Sequence, residues 1–273
     1  MTSNVTGVLC AAKGKLMLSE ERRQKLLGFT AERGRVKISD LAGAFNVSEM
    51  TIHRDIQTLE ARGLVRKLHG GVAHVGVQET PYRERIVQQH AEKQAIARAA
   101  IKLIQPGATI YLSPGTTNTE IARSLPKTNL TVVTNSLPIA QELMNTTELE
   151  VVLTGGNVRR HAEALVGEAA ESSLSKMFIN LAFIGVTGID IEGGLTVYSE
   201  SEARVLQQVL RSSRKVVVVS DSSKWGKVMG PVVAPLNTIH TVITDSKLAK
   251  SAVKYLEQND IAVIRVSVQN HKS

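Results

Sequence analysis

Apolar positions change period twice along this chain, and those changes divide it. From Glu20 to Gly63 they recur at helical spacing. Glu20–Glu32 reads as a helix with Leu26, Leu27 and Phe29 to bury and Arg22, Arg23 and Lys25 to expose. Ile38–Gly63 reads as two helices joined by a tight turn, with Ser39 and Ser48 as candidate caps for otherwise orphaned backbone N–H groups. In the second of these, Ile52, Ile56 and Leu59 stand at i, i+4 and i+7 and must pack inward, and Gly63 ends it. From Leu64 the pattern shortens: Leu64–Leu68 and Val72–Val75 are predicted strands around His69-Gly70-Gly71. Met1–Leu18 shows no such pattern and reads as a disordered extension.

Gly76–Arg85, with Pro81 near its end, reads as a linker. It leads into a long helix predicted over Tyr82–Ile104, whose interrupted apolar face is Ile86, Ile96, Ala97, Ala100, Ile101 and Ile104; Gln105-Pro106-Gly107 stops it. Beyond lie continuous aliphatic runs at Thr109–Leu112, Leu130–Thr134, Glu150–Leu153, Leu181–Val186, Lys215–Ser220, Thr241–Thr244 and Ala262–Val266. Amphipathic stretches lie between them, notably Pro138–Asn145, Glu168–Phe178, Glu200–Ser213 and Lys247–Gln258. Runs of this kind alternating with helices predict an α/β fold with a mostly parallel sheet covered on both faces. The expected organisation is an extension over 1–18, a small helical and winged domain over 19–75, a linker over 76–85 and an α/β domain over 86–273.

Composition narrows the function. The chain has 273 residues, enough for both domains, and a formal net charge of +8, which favours a polyanionic partner. A single cysteine, Cys10, excludes an internal disulfide framework and a multi-cysteine zinc site, and a reducing cytoplasm suits it. Val8–Ala12 is too short for a secretory core, and no run approaches the ~20 apolar residues that span a bilayer. No membrane partner is expected. The seven histidines lack ligand spacing, so no metal and no cofactor is expected.

Two sets of residues are chemically suggestive. At about 100° per residue, the face opposite Ile52, Ile56 and Leu59 carries Met50, Arg54 and Gln57, flanked by Thr51, His53 and Thr58, with Ser48 at its start. Such a face suits base edges in a major groove, and Arg66, Lys67 and His69 on the predicted wing suit the flanking phosphates. Double-stranded DNA is the expected partner. The second set stands at the carboxyl ends of the predicted strands, where open α/β sheets bind ligands. It comprises Ser113-Pro114-Gly115-Thr116-Thr117, Thr134-Asn135-Ser136, Thr154-Gly155-Gly156-Asn157, Gly185–Asp190 and Ser220–Gly226. Any one of these is also an ordinary turn composition; together they predict a shared polyhydroxy or phosphate site. Ser113, Gly115, Thr116, Thr117, Asn135, Ser136, Gly155, Gly156, Asp190 and Lys224 are its candidates, with Lys224 as the cation for an anionic ligand.

Val47–Ile56, Leu59-Glu60, Gly63-Leu64 and His69-Gly70-Gly71 resemble the signature of the DeoR family of bacterial sugar-metabolism regulators. The resemblance continues through Ser113–Thr117, similar to the family's Asp-x-Gly-Thr-Thr, and Asp221–Gly226, similar to its Asp-Ser-Ser-Lys-Phe-Gly. It implies a winged DNA reader, a sensor related in fold to ribose-phosphate isomerases, a phosphorylated sugar as effector, and a repressor. Four positions depart from the pattern: His53 for Arg, Ser113 and Asn180 for Asp, and Trp225 for Phe. An isomerase needs a carboxylate to move a proton between carbons, so the neutral Ser113 and Asn180 argue against catalysis. An isomerase-like enzyme carrying a DNA reader and a nucleotide-sensing regulator stay open as alternatives, although neither Gly-x-Gly-x-x-Gly nor a Gly-Lys-Ser/Thr phosphate loop occurs. Since one recognition helix reads only a few base pairs, a homo-oligomer is expected.

Overall fold

Residues 18–33, 35–68, 71–74, 79–126 and 128–268 are described by the computed structural model. Met1–Met17, almost all of the predicted extension, and His69 lie outside the described residues. The chain divides into two units, Met1–Gly76 and Val77–Ser273.

The first unit contains α1 (Ser19–Arg33), β1 (Arg35–Lys37), α2 (Ile38–Phe45), α3 (Glu49–Ala61), β2 (Val65–Leu68) and β3 (Gly71–His74). Its strands form an antiparallel sheet in the order β1-β3-β2. β1 was not foreseen, because three residues between two helices carry too short a pattern to read. Gly71 permits the pairing: a Cβ there would lie 2.7 Å from the Val36 carbonyl oxygen. Leu26, Val36, Leu41, Ile52, Ile56, Leu59, Leu64 and Val72 make the core, all buried.

Ser48 caps α3 as expected, its hydroxyl accepting from the Thr51 N–H at 3.2 Å. At the other end Gly63, at φ +72°, closes the helix: its N–H donates to the Glu60 carbonyl and that of Leu64 to the Leu59 carbonyl. Ser39 is not a cap. α2 starts two residues earlier than a Ser39 cap requires, with Lys37 in the capping position and no side-chain bond there. Nor are Arg22 and Arg23 outward charges. Arg22 is buried against Asp55, itself 2% exposed, and donates to both carboxylate oxygens, at 2.5 and 3.3 Å; Arg23 donates to the same carboxylate at 3.2 Å. Helical spacing placed both arginines on the polar side of α1, but α3 carries a buried acid that answers them.

The second unit opens with α4 (Tyr82–Arg85) and α5 (His90–Ala100), followed by β4 (Thr109–Leu112), α6 (Thr116–Arg123), β5 (Leu130–Thr134), α7 (Leu137–Leu143) and β6 (Leu149–Leu153). A hairpin of β7 (Asn157–Arg159) and β8 (Ala164–Val166) leads to α8 (Glu168–Ser175) and β9 (Leu181–Ile184). Next come β10 (Gly188–Asp190), β11 (Gly194–Thr196), α9 (Glu200–Ser212), β12 (Val216–Val219), β13 (Val232–Ala234), β14 (Thr241–Asp245), α10 (Lys250–Gln258) and β15 (Ala262–Val266). Seven strands form one parallel sheet in the order β15-β14-β12-β9-β4-β5-β6. Side chains alternate across it: Ile110, Leu112, Val217 and Val219 pack with α5, α6 and α7, while Tyr111, Val216 and Val218 pack with α8, α9 and α10. A small antiparallel sheet, β10-β11-β13, flanks it.

The single helix predicted over Tyr82–Ile104 is broken. α4 ends at Arg85, Gln89 lies in the left-handed region at φ +50°, and Ile101–Leu103 continues α5 as a 3-10 turn. Between Ile86 and Ala95 the only apolar residues are Val87 and Ala91, too few for a stripe that would hold one straight helix on the sheet. Tyr82–Arg85, read as the end of a linker, is part of this unit: Tyr82 is buried and its hydroxyl is 2.9 Å from that of Thr119.

Candidate functional site

The outer face of α3 is organised as its spacing predicts. Met50 is 63% exposed, Arg54 and Gln57 are exposed, and Thr51, His53 and Thr58 are half-buried beside them. Thr58 is partly committed, its hydroxyl donating to the Arg54 carbonyl at 3.0 Å. Ile52, Ile56 and Leu59 point the other way into the core, so the core fixes which face is presented. Arg66 and Lys67 belong to β2; Lys67 is exposed, and its backbone N–H donates to the Glu60 carboxylate at 2.8 Å, tying the wing strand to α3. Asp55, adjacent to Arg54, is no DNA contact: it faces inward to Arg22 and Arg23.

In the second unit a cleft opens at the carboxyl ends of β4, β9 and β12, with an empty volume of about 970 Å³ including its solvent mouth. The chain reverses direction across the sheet between β4 and β9, and such a switch point is where open α/β sheets leave a crevice. Ser113, Gly115, Thr116 and Thr117 line one side, with Gly115 at φ +140° as the residue before α6. The Ser113 hydroxyl accepts from the Gly185 N–H at 2.8 Å and from Asn118 Nδ2 at 2.9 Å, joining β4 to β9 across the crevice. Asn118, fully buried, spends its amide nitrogen on Ser113 and the Phe183 carbonyl; its Oδ1 has no partner among the described residues.

Three cations enter this cleft: Arg85 from α4, Lys93 from α5 and Lys224 from the turn after β12. Lys93 is 5% exposed, and burial pushes its ammonium down to about 8, with Lys224 and Arg85 adding to the effect and Asp221 opposing it. Lys224 is likewise lowered, by burial first, while Asp221 opposes and Arg85 and Lys227 add. Arg85 Nε is buried without a partner among the described residues, and Lys93 Nζ donates to the Arg85 carbonyl. The Lys224 turn is held by Asp245, whose carboxylate accepts from the N–H groups of Ser222 at 2.6 Å and Lys247 at 2.8 Å. Two carboxylates line the cleft. Asp221 accepts from the Ser223 N–H, and Glu202, raised by burial against the pull of Arg159, lies 3.5 Å from Arg159.

The candidates from the sequence therefore separate. Ser113, Gly115, Thr116, Thr117, Asn135 and Lys224 line the cleft, although Asn135 already accepts from the Tyr111 hydroxyl at 2.6 Å and donates to the Leu165 carbonyl at 2.7 Å. Ser136, Gly155, Gly156 and Asp190 do not line it. Ser136 is buried and caps α7. Gly156, at φ +121°, has no room for a Cβ, which would lie 2.7 Å from the Val166 carbonyl oxygen. Asp190 accepts from the N–H groups of Glu192 and Gly193 within the β10–β11 turn. Those residues are turn chemistry. Asn180 is at the opposite end of β9, where Oδ1 accepts from the Thr109 N–H, so its neutrality says nothing about the cleft. Arg85, Lys93, Tyr198 and Glu202 line it without having been foreseen.

Residues 22–76 match the model of the DeoR-like helix-turn-helix domain, and residues 88–246 that of the DeoR C terminal sensor domain. The chain belongs to the DeoR family. It is a transcription regulator with a DNA-binding unit followed by a sensor unit. The DeoR-family chain is 37% identical over 251 residues to the HTH-type transcriptional regulator YgbI of Escherichia coli K12, covering 91% of this chain and 98% of that protein. It is 30% identical over 247 residues to the glycerol-3-phosphate regulon repressor of the same organism, covering 90% of this chain and 98% of that one. Among solved structures it is similar to ribose 5-phosphate isomerase A of Methanocaldococcus jannaschii, at 20% identity and TM-score 0.37, covering 50% of this chain and 54% of that chain. Among the described residues of the regulator, no helix is long and apolar enough to cross a membrane.

Proposed function

We propose that this DeoR-family regulator is a repressor whose hold on operator DNA is loosened by a phosphorylated sugar bound in the sensor cleft. The observation that carries the reading is the convergence of Arg85, Lys93 and Lys224 on one crevice, where Asp221 is the carboxylate beside the two lysines and Glu202 is turned to Arg159. Cations held out of water with fewer carboxylates than charges are costly unless something else answers them, and a phosphate does so. The start of α6, at Gly115–Thr117, offers N–H groups and hydroxyls to the same anion, while Ser113 and Ser220 line the crevice for sugar hydroxyls. Repression, the sugar and the name of the glycerol-3-phosphate regulon repressor are consistent with one another. A ligand that prefers one conformation of the sensor shifts the population toward weaker DNA binding.

On the DNA side, Met50, Thr51, His53, Arg54, Gln57 and Thr58 read bases from α3, and Ser48, Arg66, Lys67 and His69 serve phosphates. Two or more copies of the chain bind a repeated or palindromic operator, since one such helix covers only a few base pairs. The cleft does not turn its ligand over: Asp221 and Glu202 are both committed to hydrogen bonds or ion pairs.

Mobility shifts on an operator selected from random duplexes test the reading, with a panel of phosphorylated sugars, nucleotides and unphosphorylated sugars. A phosphorylated sugar releases the wild-type complex, and Lys224→Ala stays bound with unchanged basal affinity. Release by nucleotides alone would favour the nucleotide sensor, and isomerisation of ribose 5-phosphate would favour the enzyme.

A further inference from the structure

The chain enters the second unit at Val77, and the first described residues after that point are held by residues in or next to the cleft. Glu79 receives both terminal nitrogens of Arg159, one at 2.7 Å. Arg159 in turn donates from Nε to Ser199 at 3.0 Å and lies beside the cleft residue Glu202. Tyr82 is buried against Thr119, and the Arg85 carbonyl is taken by Lys93 Nζ. From Glu79 to Arg85 the entry segment is thus fastened through residues that line the cleft or touch those that do. One of its atoms is left open: Arg85 Nε, buried, facing no acceptor among the described residues.

We propose that Arg85 is a ligand-contact residue, and that an anion bound between Arg85 and Lys224 fastens the Glu79–Gln89 segment to the sensor. This rests on the reading of the cleft as an anion site and adds which element feels the anion. A guanidinium offers a planar fork of donors to tetrahedral or planar oxyanions, so a free Nε beside a cation cluster suits a phosphate oxygen. Because Arg85 belongs to the entry segment rather than to a sheet strand, occupancy changes the restraint on the first residues after Val77. Those residues connect covalently to the DNA-binding unit. Lys224, on the turn after β12, supplies affinity from the sheet side; Arg85 supplies it from the entry segment. Gln89 in the left-handed region is where the chain turns from α4 into α5.

Hydrogen exchange on the full chain tests this, with inorganic phosphate as the probe and chloride at equal ionic strength as the control. Phosphate protects the backbone N–H groups of residues 79–89 in the wild type. Arg85→Met loses that protection and binds phosphate roughly tenfold or more weakly, as expected for a charge-assisted contact. Arg85→Lys, which keeps the charge but not the fork, recovers part of it and guards against a folding defect in the first variant. Equal protection in Arg85→Met and wild type overturns the proposal. So does a wild type whose segment is unprotected while phosphate still raises its thermal midpoint in a Lys224-dependent way, and in that case the anion site itself survives. If phosphate stabilises neither wild type nor Lys224→Ala, the anion reading of the cleft fails together with the proposal.

Discussion

Two clusters of cationic side chains among the described residues are held away from water, and they are treated differently. In the DNA-binding unit Arg22 and Arg23 converge on Asp55, with Glu20 bridging Arg23 and Arg62 nearby. Every charge there has its counter-charge within the unit. In the sensor cleft Arg85, Lys93 and Lys224 press on one another, and burial holds both lysines below the ordinary ammonium value. The first cluster is complete and serves α1–α3 packing. The second is only partly answered: Asp221 opposes the shift of both lysines without cancelling it, and Arg85 Nε has no partner among the described residues. Burial alone does not separate the two clusters; how far internal partners answer the charge does.

The comparison breaks most visibly at Asp55. Asp55→Ala leaves Arg22 buried without its acid and should destabilise the first unit by about 3–5 kcal/mol, read from denaturant unfolding. A loss below about 1 kcal/mol would mean the network behaves like a surface pair. Next in size is Arg54→Ala, which should cost ~1–3 kcal/mol at one base pair and relax specificity there. Lys67→Ala should weaken all duplexes alike and lower the salt slope by roughly one unit. Operator affinity indifferent to Arg54→Ala would remove α3 from the interface.

The opposite sign is expected in the cleft. Lys93→Met, without ligand, should leave thermal stability unchanged or raised, since it removes a desolvated charge. The pH dependence follows. With its value lowered to about 8, Lys93 in the native state holds fewer protons than in the unfolded chain between about pH 8 and the ordinary lysine value. Its contribution to stability is therefore least favourable below pH 8 and improves as pH rises through that window. Lys93→Met should flatten that rise in a melting curve series from pH 7 to 10. A steeper rise in the variant would mean that Lys93 is not the group responsible.

Much of this was legible in the sequence where one periodicity sufficed. The stripe of Ile52, Ile56 and Leu59 fixed the presented face of α3, and the aliphatic runs marked the parallel strands to within a residue or two. Partnership across space was not legible. Arg22 and Asp55 are 33 residues apart, and spacing on α1 alone placed the arginine in solvent. Lys93 sits in a polar-looking stretch of α5 and reads as solvated until the cleft is folded around it. Turn glycines and acids misled in the other direction: Gly155, Gly156 and Asp190 have the composition of a phosphate loop because turns and phosphate loops make the same demands on backbone. Lys224 lines the cleft, as its place among hydroxyls beside Gly226 suggested, although a lone lysine after a strand is more often solvated.

Calorimetry on the full chain, titrating phosphorylated sugars into wild type and Lys224→Ala, tests the central claim most directly. At least one sugar phosphate should bind the wild type, and Lys224→Ala should lose ~1.5–3 kcal/mol of that affinity, the worth of a charge-assisted contact in a partly enclosed site. Equal affinity for the two proteins, or no heat with any phosphorylated sugar, would contradict the account.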